Sequence, residues 1–463
     1  MGRGAIVNGT VVTMDGAGSG ATDGAGRIVE RGAVVFEDGA IVSVGHDPLP
    51  AGLAPESVID ATGCAVIPGL INAHTHLYNT FGRTLSADQS FDTWLPTQKG
   101  LIAQLDENDF ALCVTLGLVE NLRSGNTCVV DNPAVPSRSA DRLYDVTIGI
   151  ARALGARLVL ARGYTDQMNA PDYLESLPEI EARLRALVRA HHGTAGGRIQ
   201  VMASPMLPWA LSPEGFLLTR RLADDLGVRI HMHTAETAGF APLIEKAHGH
   251  RSNTRVYRDG GCLGPDVQLL GCTCLEAEEI DVIRDTGTAV ILDPSAAMYI
   301  GAGMPPLTAL LATGGPVALA TNGSASNGSQ DMFESMKNAA GLARIAARHG
   351  AALTQRRALE IATIEGARAL GLDGQIGSIA PGKRADLAVV DLATAFAAPS
   401  LNVVTALVSS CKSRDVRDVV VDGHVVVRDR RALGVDEADL VARATDAARR
   451  AVGRAGLGGR TSP

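Results

Sequence analysis

The sequence predicts an α/β fold: a closed (β/α)8 barrel with a small β-domain built from both ends of the chain. Two observations predict it. Short apolar strands alternate with amphipathic helices through the middle of the chain, and β-rich segments separated by turn residues occupy the two ends. Strand–helix alternation is typical of a parallel sheet. Eight such units over about 250 residues fit a closed barrel better than an open sheet.

The predicted barrel strands are short runs rich in Val, Ile, Leu and Ala, with helical patterns such as 109–123 and 214–226 between them. The strands cover residues 66–71, 127–131, 156–160, 199–203, 228–233, 267–270, 288–292 and 317–320. We therefore assign residues 68–375 to the barrel.

The two ends of the chain are predicted to form one β-domain. β-Rich segments precede the barrel, and segments 385–390, 403–408 and 416–427 follow it, the last with a hairpin turn at Asp422-Gly423. We assign residues 1–67 and 376–430 to this small β-domain. Residues 431–463 are predicted to form a C-terminal helix and a tail.

Composition restricts the partners and the compartment. The 463 residues carry 42 Lys and Arg against 50 Asp and Glu, a net charge of −8. This balance argues against nucleic acid or an anionic membrane as the main partner. The sequence shows no apolar run long enough to span a membrane and no signal-peptide pattern. Seven cysteines, mostly within apolar runs, favour a reduced, cytoplasmic protein.

Histidines at the ends of two predicted strands indicate a metal site. His74 and His76 follow the first barrel strand, where residues i and i+2 point the same way. They would converge at the carboxyl end of the barrel, where barrel enzymes keep their chemistry. His233 ends another strand and is the third predicted ligand, whereas His231 is expected to pack deeper. Neutral imidazole is a common zinc ligand.

Candidate proton carriers and substrate contacts surround these ligands. Glu236 lies just past the strand end, where a carboxylate can reach a metal-bound water or a substrate nitrogen; the alternative is a glutamate at a helix N-terminus. Asp293 is a further carboxylate, or a plain strand-end residue. Trp94, Trp209 and Tyr299 lie on predicted loops at the barrel top, where they could stack a planar ligand or simply pack the loops.

The run VIPGLINAHTHL, residues 66–77, resembles the first-strand motif of the amidohydrolase superfamily. HTAET, ALATNGSASNGSQDMFESM and GQIGSIAPGKRADLAVVDL extend the similarity over nearly the whole chain. It is closest to the branch of guanine, cytosine and S-adenosylhomocysteine deaminases and s-triazine chlorohydrolases. The resemblance implies a distorted TIM barrel, a flanking β-sandwich from both termini, and one catalytic divalent metal. That metal is usually zinc, with Fe²⁺ as the alternative.

Three positions depart from the family pattern. Gly271 and Leu292 stand where histidines are usual, and Asn322 takes the place of the catalytic aspartate. An amide cannot accept a proton near pH 7, so the ordinary general base is missing. We interpret the changes as divergence that opens space in the pocket. Glu236 is then the proton carrier beside Asn322.

The sequence thus favours a metal-dependent hydrolase that displaces an amino or other leaving group from a small, planar nitrogen heterocycle. The alternatives are a non-hydrolytic lyase, isomerase or cyclase of secondary metabolism, or an inactive homologue that binds a ligand. Gly271, Leu292 and Asn322 disfavour an ordinary deaminase. The three histidines and Glu236 are all kept at the positions of the family pattern, which disfavours an inactive homologue. The resemblance also implies a homodimer or a higher homo-oligomer.

Overall fold

The computed structural model describes residues 2–16, 26–47 and 53–458. The strands of these ranges are β1 (Arg3–Val12), β2 (Ile28–Glu37), β3 (Ala40–Gly45), β4 (Val58–Asp60), β5 (Cys64–Pro68), β6 (Leu70–Thr75), β7 (Asn126–Asp131), β8 (Arg157–Tyr164), β9 (Ile199–Pro205), β10 (Ile230–Thr234), β11 (Val267–Gly271), β12 (Ala289–Leu292), β13 (Val317–Leu319), β14 (Leu387–Asp391), β15 (Val416–Val421), β16 (His424–Arg428) and β17 (Arg431–Ala432).

The α-helices of the described residues are α1 (Phe91–Ile102), α2 (Glu107–Arg123), α3 (Ser137–Ala153), α4 (Leu177–His191), α5 (Pro213–Leu226), α6 (Phe240–His248), α7 (Asn253–Asp259), α8 (Ala277–Thr286), α9 (Pro294–Tyr299), α10 (Leu307–Ala312), α11 (Ser324–Asn327), α12 (Met332–Ala347), α13 (Gln355–Ile361), α14 (Ile364–Leu370), α15 (Val403–Ser409) and α16 (Glu437–Arg454). None of them is both long and apolar enough to cross a membrane.

Strands β6 to β13 form the predicted barrel. Each pairs in parallel with the next along the chain. The first and last strands meet through a backbone hydrogen bond from Asn322 N to His74 O, 3.1 Å long, which nearly closes the barrel. The strands are buried on both faces, as expected when helices cover a parallel sheet. The barrel therefore brings the carboxyl ends of eight strands to one rim.

Local sequence signals explain where the surrounding helices begin and end. Asp106 caps α2 by accepting a hydrogen bond from Asp109 N, and Ser212 caps α5 by accepting one from Gly215 N. Helix α5 ends at Gly227, which adopts a left-handed φ of 64°. The apolar faces of the helices pack on the outside of the barrel in one large cluster. Capping and packing thus agree with the helical periodicity read from the sequence.

Both ends of the chain contribute to the second sheet, as predicted. Its strand order is β17-β16-β15-β14-β5-β1-β2-β3, with β4 beside β1. Arg157, on barrel strand β8, donates two buried hydrogen bonds to Asp386, 2.8 and 3.0 Å long, just before β14. This ion pair ties the barrel to the flanking sheet. The division of the chain at residues 67/68 and 375/376 stays a prediction.

The predicted first barrel strand, 66–71, is in fact two strands. Residues up to Pro68 belong to β5 in the flanking sheet, and Leu70 begins β6 in the barrel. Gly69 sits between them, and a Cβ there would lie 2.0 Å from Thr127 Oγ1. A side chain at position 69 would not fit this close crossing between the two sheets. The barrel strand therefore runs from Leu70 to Thr75, so His74 lies within the strand and not after it.

The prediction of a strand over 403–408 is wrong, because these residues form helix α15. Asn402 caps it by accepting a hydrogen bond from Thr405 N at 2.9 Å, and Leu407 packs into the main core. A cap and tertiary packing override the β-propensity of the valines. The hairpin turn at Asp422-Gly423 and the C-terminal helix are confirmed. The tail from residue 459 onward lies outside the described residues.

Candidate metal centre and active-site cavity

Three histidines converge at the rim of the barrel. His74 lies in β6, His76 follows that strand, and His233 lies in β10. Each offers a ring nitrogen, and these atoms all lie within 4.8 Å of one another. His74 Nε2 is 3.2 Å from His76 Nε2. The rings of His76 and His233 are parallel, with centroids 5.5 Å apart. Three converging, buried imidazoles form a site that can hold a divalent metal ion.

Backbone carbonyl groups orient two of these rings. His76 Nδ1 lies 2.6 Å from Asn132 O, and His233 Nδ1 lies 3.1 Å from Met206 O. A carbonyl oxygen can only accept, so Nδ1 carries the hydrogen in both rings. The lone pair of each Nε2 is then free for a metal ion, the arrangement in which a ligating histidine donates its other N–H to a nearby acceptor.

Burial keeps the histidines neutral. It lowers the pKa of His76 to about 4, and also that of His231, which lies two residues before His233. Burial, followed by the neighbouring imidazoles, holds the pKa of His74 and of His233 well below the usual range. Neutral imidazole is the form that binds metal.

Across the rim, one amide joins two carboxylates. Asn322 Nδ2 donates to Asp293 Oδ2 at 2.7 Å, and the nearby Asn322 amide also acts to lower the pKa of Glu236. Asn322 Oδ1 accepts from Gly323 N at 2.7 Å. This backbone N–H determines which way the amide faces, because its partner must be an oxygen. Asn322 therefore presents its NH₂ group, and not its oxygen, to the acids.

Burial raises the pKa of Glu236 to about 8, with a further contribution from the charge of Asp293. Burial likewise raises the pKa of Asp293 to about 6, against the opposing effect of the Asn322 hydrogen bond. Two interacting, buried carboxyl groups disfavour double ionisation. The pair is therefore suited to hold a proton near neutral pH.

The expectation that Gly271 and Leu292 open space in the pocket is wrong. A Cβ on Gly271 would lie 3.1 Å from Glu236 Cβ and 3.1 Å from Thr234 O, and the residue has a φ of 91°. Glu236 thus occupies the volume that a side chain at 271 would need. Leu292 packs into the core cluster between the barrel and its helices, away from the cavity lining.

A cavity opens above the histidines and includes His76, His233, Glu236 and Asn322 in its lining. Trp94, a predicted substrate contact, also lines it, and its Nε1 donates to Ala325 O at 2.9 Å. This bond holds the indole in place. Other lining residues are Tyr78, Phe91, Gln98, Lys99, Tyr173 and Glu175. The cavity thus joins the candidate metal site to an aromatic and polar wall.

Three other predicted substrate contacts lie outside the lining. Trp209 packs edge-on against Phe240, with centroids 4.6 Å apart, so it belongs to the core. Tyr299 ends α9 and is partly exposed. Asp293 accepts a hydrogen bond from Asn322, which lines the cavity. Most of the other lining residues come from the segments after β6 and β8, and their position past barrel strand ends was the available signal.

A family model for the amidohydrolase family matches residues 65–426. The chain belongs to the amidohydrolase family. It is 33% identical over 457 residues to the 5'-deoxyadenosine deaminase of Methanosarcina mazei, covering 97% of this chain and 98% of that protein. It is 30% identical over 435 residues to a 5-methylthioadenosine/S-adenosylhomocysteine deaminase of Syntrophomonas wolfei, covering 93% and 97%.

Solved structures similar to this amidohydrolase have the same fold. An adenosine deaminase from Xanthomonas campestris with bound zinc is 30% identical, with a TM-score of 0.86 over 96% of this chain and 98% of that one. Atrazine chlorohydrolase from Arthrobacter aurescens, complexed with zinc, is 25% identical, with a TM-score of 0.88 over 96% and 99%. These likenesses confirm the predicted fold and the predicted enzyme class, a metal-dependent hydrolase.

Proposed function

We propose that this amidohydrolase is a hydrolytic deaminase of planar nitrogen heterocycles of the adenosine type. Water would attack a ring carbon and replace its amino group, which leaves as ammonia. The observation that carries the proposal is the meeting of His74, His76 and His233 with Glu236 at one cavity. The named activities of the similar proteins support an amino leaving group first and a halide second.

The three histidines fit a divalent metal, since their buried, neutral rings converge and the Nε2 atoms of His76 and His233 are free to bind it. Zinc suits three imidazoles with an open position, and Fe²⁺ is the alternative. A metal ion held there would supply an activated water molecule. The zinc in two similar structures favours zinc here.

Glu236 carries the proton. Its carboxylate takes a proton from the attacking water as the water oxygen bonds to the ring carbon. The same carboxyl group then donates that proton to the departing nitrogen, which leaves as ammonia. Burial, followed by the charge of Asp293, raises the pKa of Glu236, so the carboxyl group can keep the proton that it takes from water until it donates it to the leaving nitrogen. Asn322 cannot accept a proton; it donates to Glu236 and holds it in place.

The aromatic wall selects flat substrates. Tyr78, Phe91 and Trp94 line the same cavity as Glu236, and aromatic faces bind planar rings through stacking and apolar contact. We infer that one of these faces lies against the heterocycle while its reacting carbon faces the histidines.

A substrate panel tests the function. Zinc-loaded protein is incubated with adenosine, 5'-deoxyadenosine, 5'-methylthioadenosine, guanine, aminopyrimidines, aminopterins and a chlorotriazine, and ammonia and chloride are measured. We expect ammonia from at least one adenosine-type compound. Folded protein with one zinc per chain that releases neither product from any compound would contradict the proposal. Substrate loss without ammonia or chloride would favour a lyase or isomerase instead.

We also propose that the chain forms a homodimer in the cytoplasm. Closed two-fold assemblies are the commonest oligomers. All seven cysteines are free and six are buried, which suits a reducing compartment. Light scattering at micromolar concentration should give twice the chain mass, and a monomer mass would refute the dimer.

A further inference from the structure

A buried hydrogen-bond chain runs from the candidate metal site to a helix that packs against the barrel. His74 Nδ1 lies 2.8 Å from His231 Nε2, and His231 Nδ1 lies 3.2 Å from Gln268 Oε1. Gln268 Nε2 donates to Ala369 O at 2.9 Å. The side chains of His74, His231 and Gln268 are fully buried. The chain thus links strands β6, β10 and β11 to helix α14.

The far end of this chain determines the orientation of the Gln268 amide. Ala369 O is a backbone carbonyl and can only accept, so the NH₂ of Gln268 must face it. The opposite orientation would bring two acceptor oxygens together in the core, with no donor between them. Gln268 Oε1 therefore faces His231, and as an oxygen it can only accept.

That orientation propagates through the imidazoles. His231 Nδ1 must carry the hydrogen that Gln268 Oε1 accepts, so Nε2 of the neutral ring is the acceptor. His74 Nδ1 then carries the hydrogen of the His74–His231 contact. The lone pair of His74 Nε2 is left facing His76 Nε2, 3.2 Å away. Any other assignment places a hydrogen at the centre of the three histidines, where a metal ion would bind.

His74 differs in this respect from the other two predicted ligands. His76 and His233 are oriented by backbone carbonyls, of Asn132 and Met206, which side-chain substitutions do not remove. His74 alone depends on side chains for its partner. Its orientation is consequently the one that substitutions at a distance can disturb.

We propose that His231 and Gln268 are positioning residues that hold His74 in the tautomer and orientation required for metal binding, with Ala369 of α14 as their anchor. The inference rests on the metal site of the proposed function and not on the identity of the substrate. Partners of metal-bound histidines typically contribute a factor of about 10–100 in metal affinity.

A matched pair of variants at 231 tests the proposal. In His231→Gln the amide oxygen can still accept from His74 Nδ1, and the amide nitrogen can still donate to Gln268. In His231→Leu neither is possible. Zinc affinity, measured by competition with a chromophoric chelator, should fall about 10–100-fold in His231→Leu and only slightly in His231→Gln. Thermal unfolding of the metal-free proteins identifies any variant that does not fold.

Gln268→Leu provides a second measurement, at a residue whose side chain bonds to His231 and Ala369. It should weaken zinc binding in the same direction as His231→Leu, by a smaller factor. Equal zinc affinity in the unaltered protein and in folded His231→Leu or Gln268→Leu would overturn the inference and leave the proposed function intact. Equal weakening in His231→Gln and His231→Leu would also overturn it. If the unaltered protein bound no zinc, the proposed function would fail, and this inference with it.

Discussion

The predicted ligand histidines and the buried carboxyl groups at the barrel rim differ in the partners that orient them. At the ends of β6 and β10, each predicted ligand histidine is held by one acceptor: Asn132 O, Met206 O or His231. Past β12 and β13, the Asn322 amide faces Asp293 and also Glu236, which itself follows β10. Glu236 occupies the volume beside Gly271, at the end of β11. We call these the histidine side and the carboxylate side.

The comparison shows why the two sides can diverge separately. Among the described residues, the Nδ1 partners of the three ligand histidines are His231, Asn132 O and Met206 O. We therefore expect changes of the side chains at 271, 293 or 322 to leave the orientation of the three imidazoles unchanged. The pKa of Glu236, in contrast, depends on Asn322 and Asp293, and its position depends on the absence of a side chain at Gly271. Divergence on one side can therefore alter proton handling while the metal ligands stay in place.

The largest effect is expected on the histidine side. His74→Ala should abolish stoichiometric metal binding and reduce turnover to background, because two imidazoles remain where three are needed. Elemental analysis and an ammonia assay measure both. His349→Ala, at an exposed histidine, is the control and should keep one metal per chain. Full metal occupancy in His74→Ala would show that the ligand assignment is wrong.

Glu236→Gln tests whether the sides are separable. Turnover should fall about 10²–10⁴-fold, the usual contribution of a positioned acid or base, while metal content stays at one per chain. The amide keeps the size of the side chain but cannot carry the proton. Loss of metal together with turnover would mean that the two sides are coupled after all.

Asn322→Asp turns the bridging donor into a third carboxylate facing Asp293 and Glu236. We expect lower turnover and a loss of roughly 2 kcal/mol in the free energy of unfolding, because buried acceptors lose their donor. In the double variant Asn322→Asp/Asp293→Asn, an amide again faces a carboxylate. Thermal stability should partly return, but turnover should stay low because Glu236 still lacks its donor.

A large gain in ammonia release by Asn322→Asp on an adenosine-type substrate would contradict this assignment. It would mean that Asn322 is only a degraded form of the usual aspartate. Recovery of turnover in the double variant would also count against the assignment, since it would show that the contact from residue 322 to Glu236 is dispensable.

Gly271→Ala should have the smallest effect. The added Cβ, 3.1 Å from Glu236 Cβ, should displace the glutamate and lower turnover several-fold, while the φ of 91° costs roughly 1–2 kcal/mol of stability. Gly287→Ala is a matched control, because its φ is also positive, at 66°, but its Cβ would meet nothing within 4 Å. It should lose stability and keep turnover. Equal turnover in both variants would show that position 271 does not support Glu236.

Most of the fold could be predicted because the barrel is encoded by local periodicity. Apolar runs and capping residues such as Ser212 lie within a few residues of the elements they define. The prediction was wrong where distant contacts decide. Gly69 divides a continuous apolar run because Thr127 lies against it, and the valines at 403–408 form a helix because Asn402 caps it and the core receives Leu407.

The candidate site was predictable in part for the same reason. His74 and His76 share a face by strand geometry alone, and Glu236 follows His233 at a short spacing. Trp209 lies in the core outside the cavity lining because it packs on Phe240, which is 31 residues away in sequence. Gln98, Lys99 and Tyr173 follow barrel strand ends, but which residues of these long segments face the cavity depends on tertiary packing.

By itself, the sequence determined the barrel, the family and the residue types at the strand ends, since each of these depends on near neighbours along the chain. Only the tertiary structure decided how those residues are used. His74 meets His231 across 157 positions, Gln268 meets Ala369 across 101, and Asn322 meets Asp293 across 29. Hydrogen-bond direction depends on which donor faces which acceptor, and that pairing exists only once the strands have closed into a barrel.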